Sequence, residues 1–107
     1  MFGNLGEMAG LMKKVGEIQK NMKKMKEELA ETVFTGKDPE GKVEIQMTGD
    51  LTVKEVHIDP SLLSSGDVPT LETACSSAVQ DALKQFKTVS AAKLSEATGG
   101  LSLPGLM

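Results

Sequence analysis

Lysines are the residues whose chemistry and spacing point most directly to a function. Six of the chain's 12 basic residues, all lysines, fall between residues 8 and 26 against one acid, Glu17, so this stretch carries a net charge of +5 in a chain of net charge -3. Ammonium groups at such spacing can neutralise nucleic-acid phosphates. Because arginine is absent, the bidentate fork that reads guanine edges is missing, and any such contact is predicted to read little sequence.

Residues that could catalyse a reaction or hold a metal are few. His57 is the only histidine and Cys75 the only cysteine, so the sequence offers neither a His/Cys metal set nor a supported Cys–His nucleophile. We expect Cys75 to pack as a small apolar residue and His57 to lie on the solvent side of a strand. Asp59 and Asp67 suit turn and cap positions, and no phosphate-binding glycine loop occurs. The sequence predicts no enzyme, metal, cofactor or small-molecule substrate.

A long helix must position the lysine-rich stretch. From residue 4 to about residue 33 there is no proline, and apolar residues recur with the seven-residue period of a coiled-coil seam. The seam sites are Met8, Leu11, Val15, Ile18, Met22, Met25 and Leu29. About 29 residues of helix are roughly 44 Å long, against a radius of gyration of about 13 Å for a compact domain of this size. The helix should therefore overhang its globule, and we expect a second copy to cover the seam.

Period-two patterns after this helix predict an antiparallel three-stranded meander. Strands are expected at residues 32–36, 42–48 and 51–58, joined by a type I turn at 38–41 and a two-residue loop at 49–50. A break in the alternation between Val53 and Val56 predicts a bulge. Phe34 is expected in the core. The meander should present one apolar face to the neighbouring helices.

A second helix is expected from about residue 71 to residue 97, after a short polar connection at 61–66 and the opening residues Asp67 and Pro69. Phe86 suits a core site on it. The predicted fold is α+β: helix, three-stranded antiparallel sheet, helix, in one domain spanning 1–107 with an apolar, non-helical tail at about 101–107. The single cysteine, the lack of an apolar run of about 18 residues and the form of the first ten residues predict a cytoplasmic protein without a membrane span.

Charge pattern alone leaves three interpretations of the first helix open. Its lysines could be solvated, with intrahelical pairs such as Lys23 with Glu27 and Lys24 with Glu28. Alternatively, Lys13 to Lys24 span about 16 Å of helix, enough to follow two or three phosphates of a duplex. A membrane-surface helix is less favoured, because the seam has coiled-coil register rather than bulky interfacial residues. With three phenylalanines and no tryptophan or tyrosine, binding of stacked single-stranded bases has little support.

Four segments resemble, in order and spacing, the YbaB/EbfC family of bacterial nucleoid-associated proteins. They are MFGNLGEMAGLMKKVGEIQKNMKKMKEEL, VFTGKDPEGKVEIQMTGD, HIDPSLL and TGGLSLPGLM, which together cover almost the whole chain. The resemblance implies a homodimer whose sheets form a central body and whose long helices project as tweezer-like arms. It also implies binding to double-stranded DNA in the nucleoid with low sequence selectivity, and a role in nucleoid organisation and gene regulation.

Residue by residue, the resemblance assigns DNA contacts to the lysines of the first helix and, secondarily, to those of the second. These are Lys13, Lys14, Lys20, Lys23 and Lys24, with Lys84, Lys87 and Lys93. The absence of arginine departs from many relatives and limits any base preference. A protein-interaction adaptor, in which the helix arms clasp another protein and no DNA is bound directly, remains the alternative; an isoelectric point near 5.1 favours it.

Overall fold

The computed structural model describes the backbone of residues 2–99 and the side chains of residues 6–99. In chain order its elements are α1 (Phe2–Glu31), β1 (Val33–Lys37), β2 (Val43–Thr48), β3 (Val53–Ile58), α2 (Pro60–Ser64) and α3 (Val68–Ala97). The predicted α+β order of helix, three-stranded antiparallel sheet and helix is confirmed. The apolar tail predicted at 101–107 lies outside the described residues.

Two local predictions were wrong. The connection expected at 61–66 contains the short helix α2, because the Asp59 carboxylate accepts a hydrogen bond from the Ser61 N–H at 2.8 Å and Pro60 suits the first helical turn. The loop between β2 and β3 is longer than two residues: the Thr48 N–H donates to the carbonyl oxygen of Thr52 at 2.9 Å. Leu51 in this loop has a φ of 64°, so it belongs to the turn rather than to β3.

The sheet has the order β1-β2-β3, with both neighbouring pairs antiparallel. The bond from the Gly41 N–H to the carbonyl oxygen of Asp38 at 2.9 Å closes a β-turn between β1 and β2, and because Glu40 does not have a positive φ, the turn fits the predicted type I. Asp38 is itself buried, and its carboxylate accepts from the Val43 N–H at 2.7 Å, which lowers the pKa of this carboxyl group. The predicted bulge is confirmed as well. The pairing of β2 with β3 shifts at Lys54, because Gln46 and Met47 are paired with Glu55 and Val53.

The core lies between one face of the sheet and α3, which packs along β1 and β2. Ala74, Ala78 and Ala82 recur every four residues on α3 and are buried. Their small side chains let α3 approach β1 so closely that a Cβ on Gly36 would lie 2.6 Å from the backbone nitrogen of Ala82 and nearer still to the carbonyl oxygen of Ala78. Further along α3 the expected core phenylalanines, Phe34 and Phe86, meet edge to face at 5.8 Å.

The carboxyl-terminal end of α1 is anchored to this core. Leu29 is buried with Phe34 and Met47, and Met25 packs beside them. The Gly49 N–H donates to the carbonyl oxygen of Leu29 at 2.8 Å, which ties the β2–β3 loop to the end of α1. The rest of α1 extends away, and the principal extents are 76 × 22 × 15 Å with a radius of gyration of 20.5 Å. The predicted overhang is confirmed.

Candidate nucleic-acid interface

The first helix divides at Asn21, where its neighbour α3 ends. The Asn21 side-chain amide donates to the carbonyl oxygen of Ala97 at 3.4 Å, and the Lys93 ammonium lies 3.1 Å from the Glu28 carboxylate. Beyond this contact every described side chain from residue 6 to residue 17 is exposed. We call residues 2–20 the arm; at 1.5 Å per residue it is about 28 Å long.

One side of α1 is basic. At about 100° per residue, Lys20 and Lys24 lie within about 20° of Lys13 around the helix axis, and Lys14 and Lys23 flank them on either side. All five of these lysines are exposed. Among the ion pairs between described residues none uses them, and Glu28, the expected partner of Lys24, binds Lys93 instead. Lys13, Lys20 and Lys24 thus form a row of ammonium groups that have no ion-pair partner within 4 Å among the described residues, with Lys14 and Lys23 on either side of the row.

The predicted lysines of α3 have different surroundings. Lys84 and Lys87 are exposed and point away from Ala78, at about 120° and 180° around the helix. Lys93 is half-buried and held by Glu28 at the contact between α3 and α1. The chain therefore uses Lys93 to join its two long helices, a role that lysine spacing in the sequence does not reveal.

The predicted seam on α1 also divides in two. Its carboxyl-terminal part is covered by the same chain: Leu29 is 6% exposed, and Met25, Met22 and Ile18 are half-buried. Its amino-terminal part, on the arm, remains exposed, with Leu11 at 62%. Met8 and Val15 are also exposed. The arm thus carries lysines on one side and an uncovered apolar stripe on the other.

An apolar surface on β3 was not anticipated as a site. Val53, Val56 and Ile58 lie opposite Met47, Ile45 and Val43 of β2, on the sheet face that carries the core. Because α3 covers β1 and β2 but not β3, these three side chains are 54%, 52% and 37% exposed. Their alternation in the sequence predicts an apolar face but does not distinguish a covered face from an uncovered one.

The two outer edges of the sheet differ in whether side chains make hydrogen bonds to the backbone of the edge strand. On β1 the Lys37 N–H donates to the Asp81 carboxylate of α3 at 3.0 Å, and the Gln85 side-chain amide donates to the carbonyl oxygen of Thr35 at 2.8 Å. These side chains satisfy backbone groups that an edge strand otherwise exposes. In the described part of the chain no side chain makes a hydrogen bond to the backbone of β3. The β3 edge is therefore the one available for further strand pairing.

The only histidine and the only cysteine lie where the sequence predicted. His57 is exposed on β3, and its Nε2 lies 2.9 Å from the Glu55 carboxylate; this hydrogen bond raises the pKa of His57. Cys75 is partly buried and packs against the core cluster of Val43 and Leu62. Between residues 2 and 99, no group of three or more His, Cys, Asp and Glu side chains is arranged to hold a metal ion.

The caps of the helices account for the remaining candidate carboxylates. Asp59 caps α2, and Asp67 caps α3 by accepting a hydrogen bond from the Thr70 N–H at 3.2 Å. Hydrogen bonds from Ser61 lower the pKa of Asp59, and those from Thr70 lower the pKa of Asp67. The predicted cap position is confirmed for Asp67, whereas Asp59 caps a helix that the sequence did not predict. No described helix has the length and apolarity needed to cross a membrane.

Comparison with known proteins places the chain in a family. The profile of the YbaB/EbfC DNA-binding family matches residues 4–101, and the chain belongs to this family of nucleoid-associated DNA-binding proteins, which is not a family of enzymes. The fold is also similar to the crystal structure of an uncharacterized protein, HP0035, from Helicobacter pylori. The two chains are 23% identical, the match covers 86% of this chain and 90% of the other, and the TM-score is 0.64.

Proposed function

We propose that this protein binds double-stranded DNA as a homodimer, through phosphate contacts of the lysines on its α1 helices. The observation that carries the proposal is the row formed by Lys13, Lys20 and Lys24, exposed and without ion-pair partners within 4 Å among the described residues. Lys14 and Lys23 extend the same surface. Lys84 and Lys87 would add contacts only where the duplex reaches α3.

Charge distribution supports contact through the basic stretch of α1 rather than through the rest of the chain. Residues 8–26 carry +5, whereas the remainder of the chain carries -8, so the remainder repels the phosphates that this stretch attracts. Lysines act as point charges on phosphate and carry no base information, which fits low sequence selectivity. Such binding suits a role in nucleoid organisation, with effects on gene expression following from DNA occupancy.

The uncovered face of β3 supports a dimer built on the body. Val56 and its neighbours Val53 and Ile58 continue the apolar face of the core beyond the reach of α3. In a dimer with its two-fold axis beside β3, Val53, Val56 and Ile58 of one copy pack against the same three residues of the other. One self-complementary surface then covers the open side of both cores. The open β3 edge and the capped β1 edge favour this side of the sheet.

The experiment that tests the proposal is the salt dependence of duplex binding by the purified protein. If about four to six phosphates are neutralised per dimer, log K should fall against log salt concentration with a slope of roughly -4 to -5. Duplexes of different sequence should give similar affinities. Binding that is insensitive to salt, or strongly dependent on sequence, would contradict a phosphate-only interface.

A protein-interaction adaptor is the second candidate function. The exposed apolar stripe with Met8, Leu11 and Val15 favours it, because a helix with such a stripe can lie in the groove of another protein. The two functions separate in a gel-shift or anisotropy measurement with an arbitrary duplex at physiological salt and no other protein present. Binding there supports the first; its absence supports the adaptor.

A further inference from the structure

From residue 6 to residue 17 the arm is a helix without packing partners in the described part of the chain. Every described side chain from residue 6 to residue 17 is exposed, and α3 ends beside Asn21. Most helical stability in proteins comes from packing of an apolar face rather than from intrinsic propensity. The arm therefore depends on its own sequence to stay helical.

That sequence is poorly suited to an isolated helix. Gly6, Gly10 and Gly16 all lie within it, and a Cβ added at any of them would meet nothing within 4 Å. None of the three has a positive φ, so neither crowding nor a turn requires glycine there. Each glycine lowers the helix–coil equilibrium constant about four- to fivefold relative to alanine.

Repulsion between lysines also disfavours the helical conformation of the arm. Lys20 at the end of the arm and Lys24 just beyond it are four residues apart on one helix face, where like charges repel, and the first turn of α1 contains no acidic residue. Phosphates placed along this face would remove the repulsion. The helix is also the conformation that aligns Lys13 with Lys20, because they lie about two turns apart on the same side.

We propose that the arm is only partly helical in the free protein and becomes fully helical when its lysines contact a duplex. This inference rests on the proposed DNA binding and adds that helix formation is part of the binding equilibrium. The apparent affinity is then proportional to the fraction of arms that are already helical, so it rises when that fraction rises. Changes in helix propensity on the arm should alter affinity without altering any contact.

Two neighbouring substitutions that change helix propensity in opposite directions provide the test. Gly10→Ala should raise the far-ultraviolet helical signal of the free protein and tighten binding to a mixed-sequence duplex by up to about fivefold. Ala9→Gly should lower the helical signal of the free protein and weaken binding to the same duplex by up to about fivefold. The double variant Ala9→Gly/Gly10→Ala retains the composition of the arm and should bind like wild type. If Gly10→Ala leaves the affinity unchanged or weakens it, the inference is overturned.

A second measurement needs no DNA and separates this inference from the proposed function. Backbone amides of residues 6–17 should exchange with solvent much faster than those of α3 in the free protein, and Gly6→Ala/Gly10→Ala/Gly16→Ala should slow them. Amides protected as strongly as those of α3 would overturn the inference while leaving DNA binding intact. A wild-type protein that binds no duplex would instead overturn the proposed function.

Discussion

The Asn21 side chain donates a hydrogen bond to the main-chain carbonyl oxygen of Ala97, 3.4 Å away and 76 residues later in the sequence. This contact joins the middle of α1 to the last residue of α3. On its carboxyl-terminal side α1 is part of the folded body; on its amino-terminal side α1 is an arm with exposed lysines. The placement of one helix end thus separates the packed part of α1 from the arm, and of the lysines proposed to bind DNA, Lys23 and Lys24 lie just beyond Asn21 on the packed side.

Replacing Lys13 and Lys20 together by glutamate should weaken duplex binding by at least tenfold and remove most of the salt slope, because the dimer then loses four lysines. Each lysine contributes about one unit of slope when it contacts phosphate. Lys84→Glu/Lys87→Glu is a matched control, because it reverses the same number of exposed charges on a helix of the body and should have a smaller effect. Equal effects of the two double variants would contradict an interface centred on the arm.

If the protein is the homodimer proposed above, Val56→Lys should convert it to monomers. Two valines lose their burial and two ammonium groups enter the apolar surface, so the dissociation constant of the dimer should rise about 100-fold or more. Multi-angle light scattering over a concentration series measures this. His57→Lys, on the opposite face of the same strand, should leave the dimer largely intact. A Val56→Lys protein with the mass of wild type at low concentration would show that β3 is not the dimer surface.

Gly36→Ala should destabilise the fold, because its Cβ would be forced against the backbone of α3 at Ala78 and Ala82. Overpacking of this kind costs about 1–3 kcal/mol of unfolding free energy. Chemical denaturation of Gly36→Ala beside Gly16→Ala provides the comparison, since a Cβ at Gly16 meets nothing within 4 Å. Equal stability of the two variants would contradict the close approach of β1 to α3.

The hydrogen bond between His57 and Glu55 should make stability depend weakly on pH. The bond raises the pKa of His57 in the folded state above its ordinary value of 6.5. Its contribution to the free energy of unfolding is therefore fully present below pH 6.5 and is lost as pH rises through the higher pKa of the folded state. Because His57 is the only histidine, its proton NMR resonance reports the titration directly. Glu55→Gln should lower the midpoint; an unchanged midpoint would exclude this carboxylate as the cause.

Local patterns were sufficient to predict most elements of the fold. Alternation marked the strands, the type I turn followed from Pro39 and Gly41, and Asp67 marked the start of α3. The short helix α2 and the positive φ of Leu51 were not predicted. Five residues are too few to show a helical period, and leucine carries no turn signal of the kind that glycine provides.

By itself, the sequence determined that the chain has a long basic and amphipathic helix, a three-stranded sheet and a second long helix. These follow from periodicity and charge, which are properties of residues close together in the chain. Only the tertiary structure decided which apolar residues are covered. A heptad shows that Leu11 and Leu29 share a helix face, but α3 and the sheet bury Leu29 and end before Leu11.

The packing of the elements also explains why Val43 and Val56 differ in burial, and why Lys93 and Lys13 differ in their surroundings. Both valines alternate in strands, yet α3 reaches over β2 and not over β3, so one is buried and the other exposed. Both lysines follow helical spacing, yet Glu28 comes within reach of Lys93 alone, because α1 and α3 lie side by side there. Covering, pairing and exposure depend on residues distant in sequence, and only the packing of the elements brings those residues together.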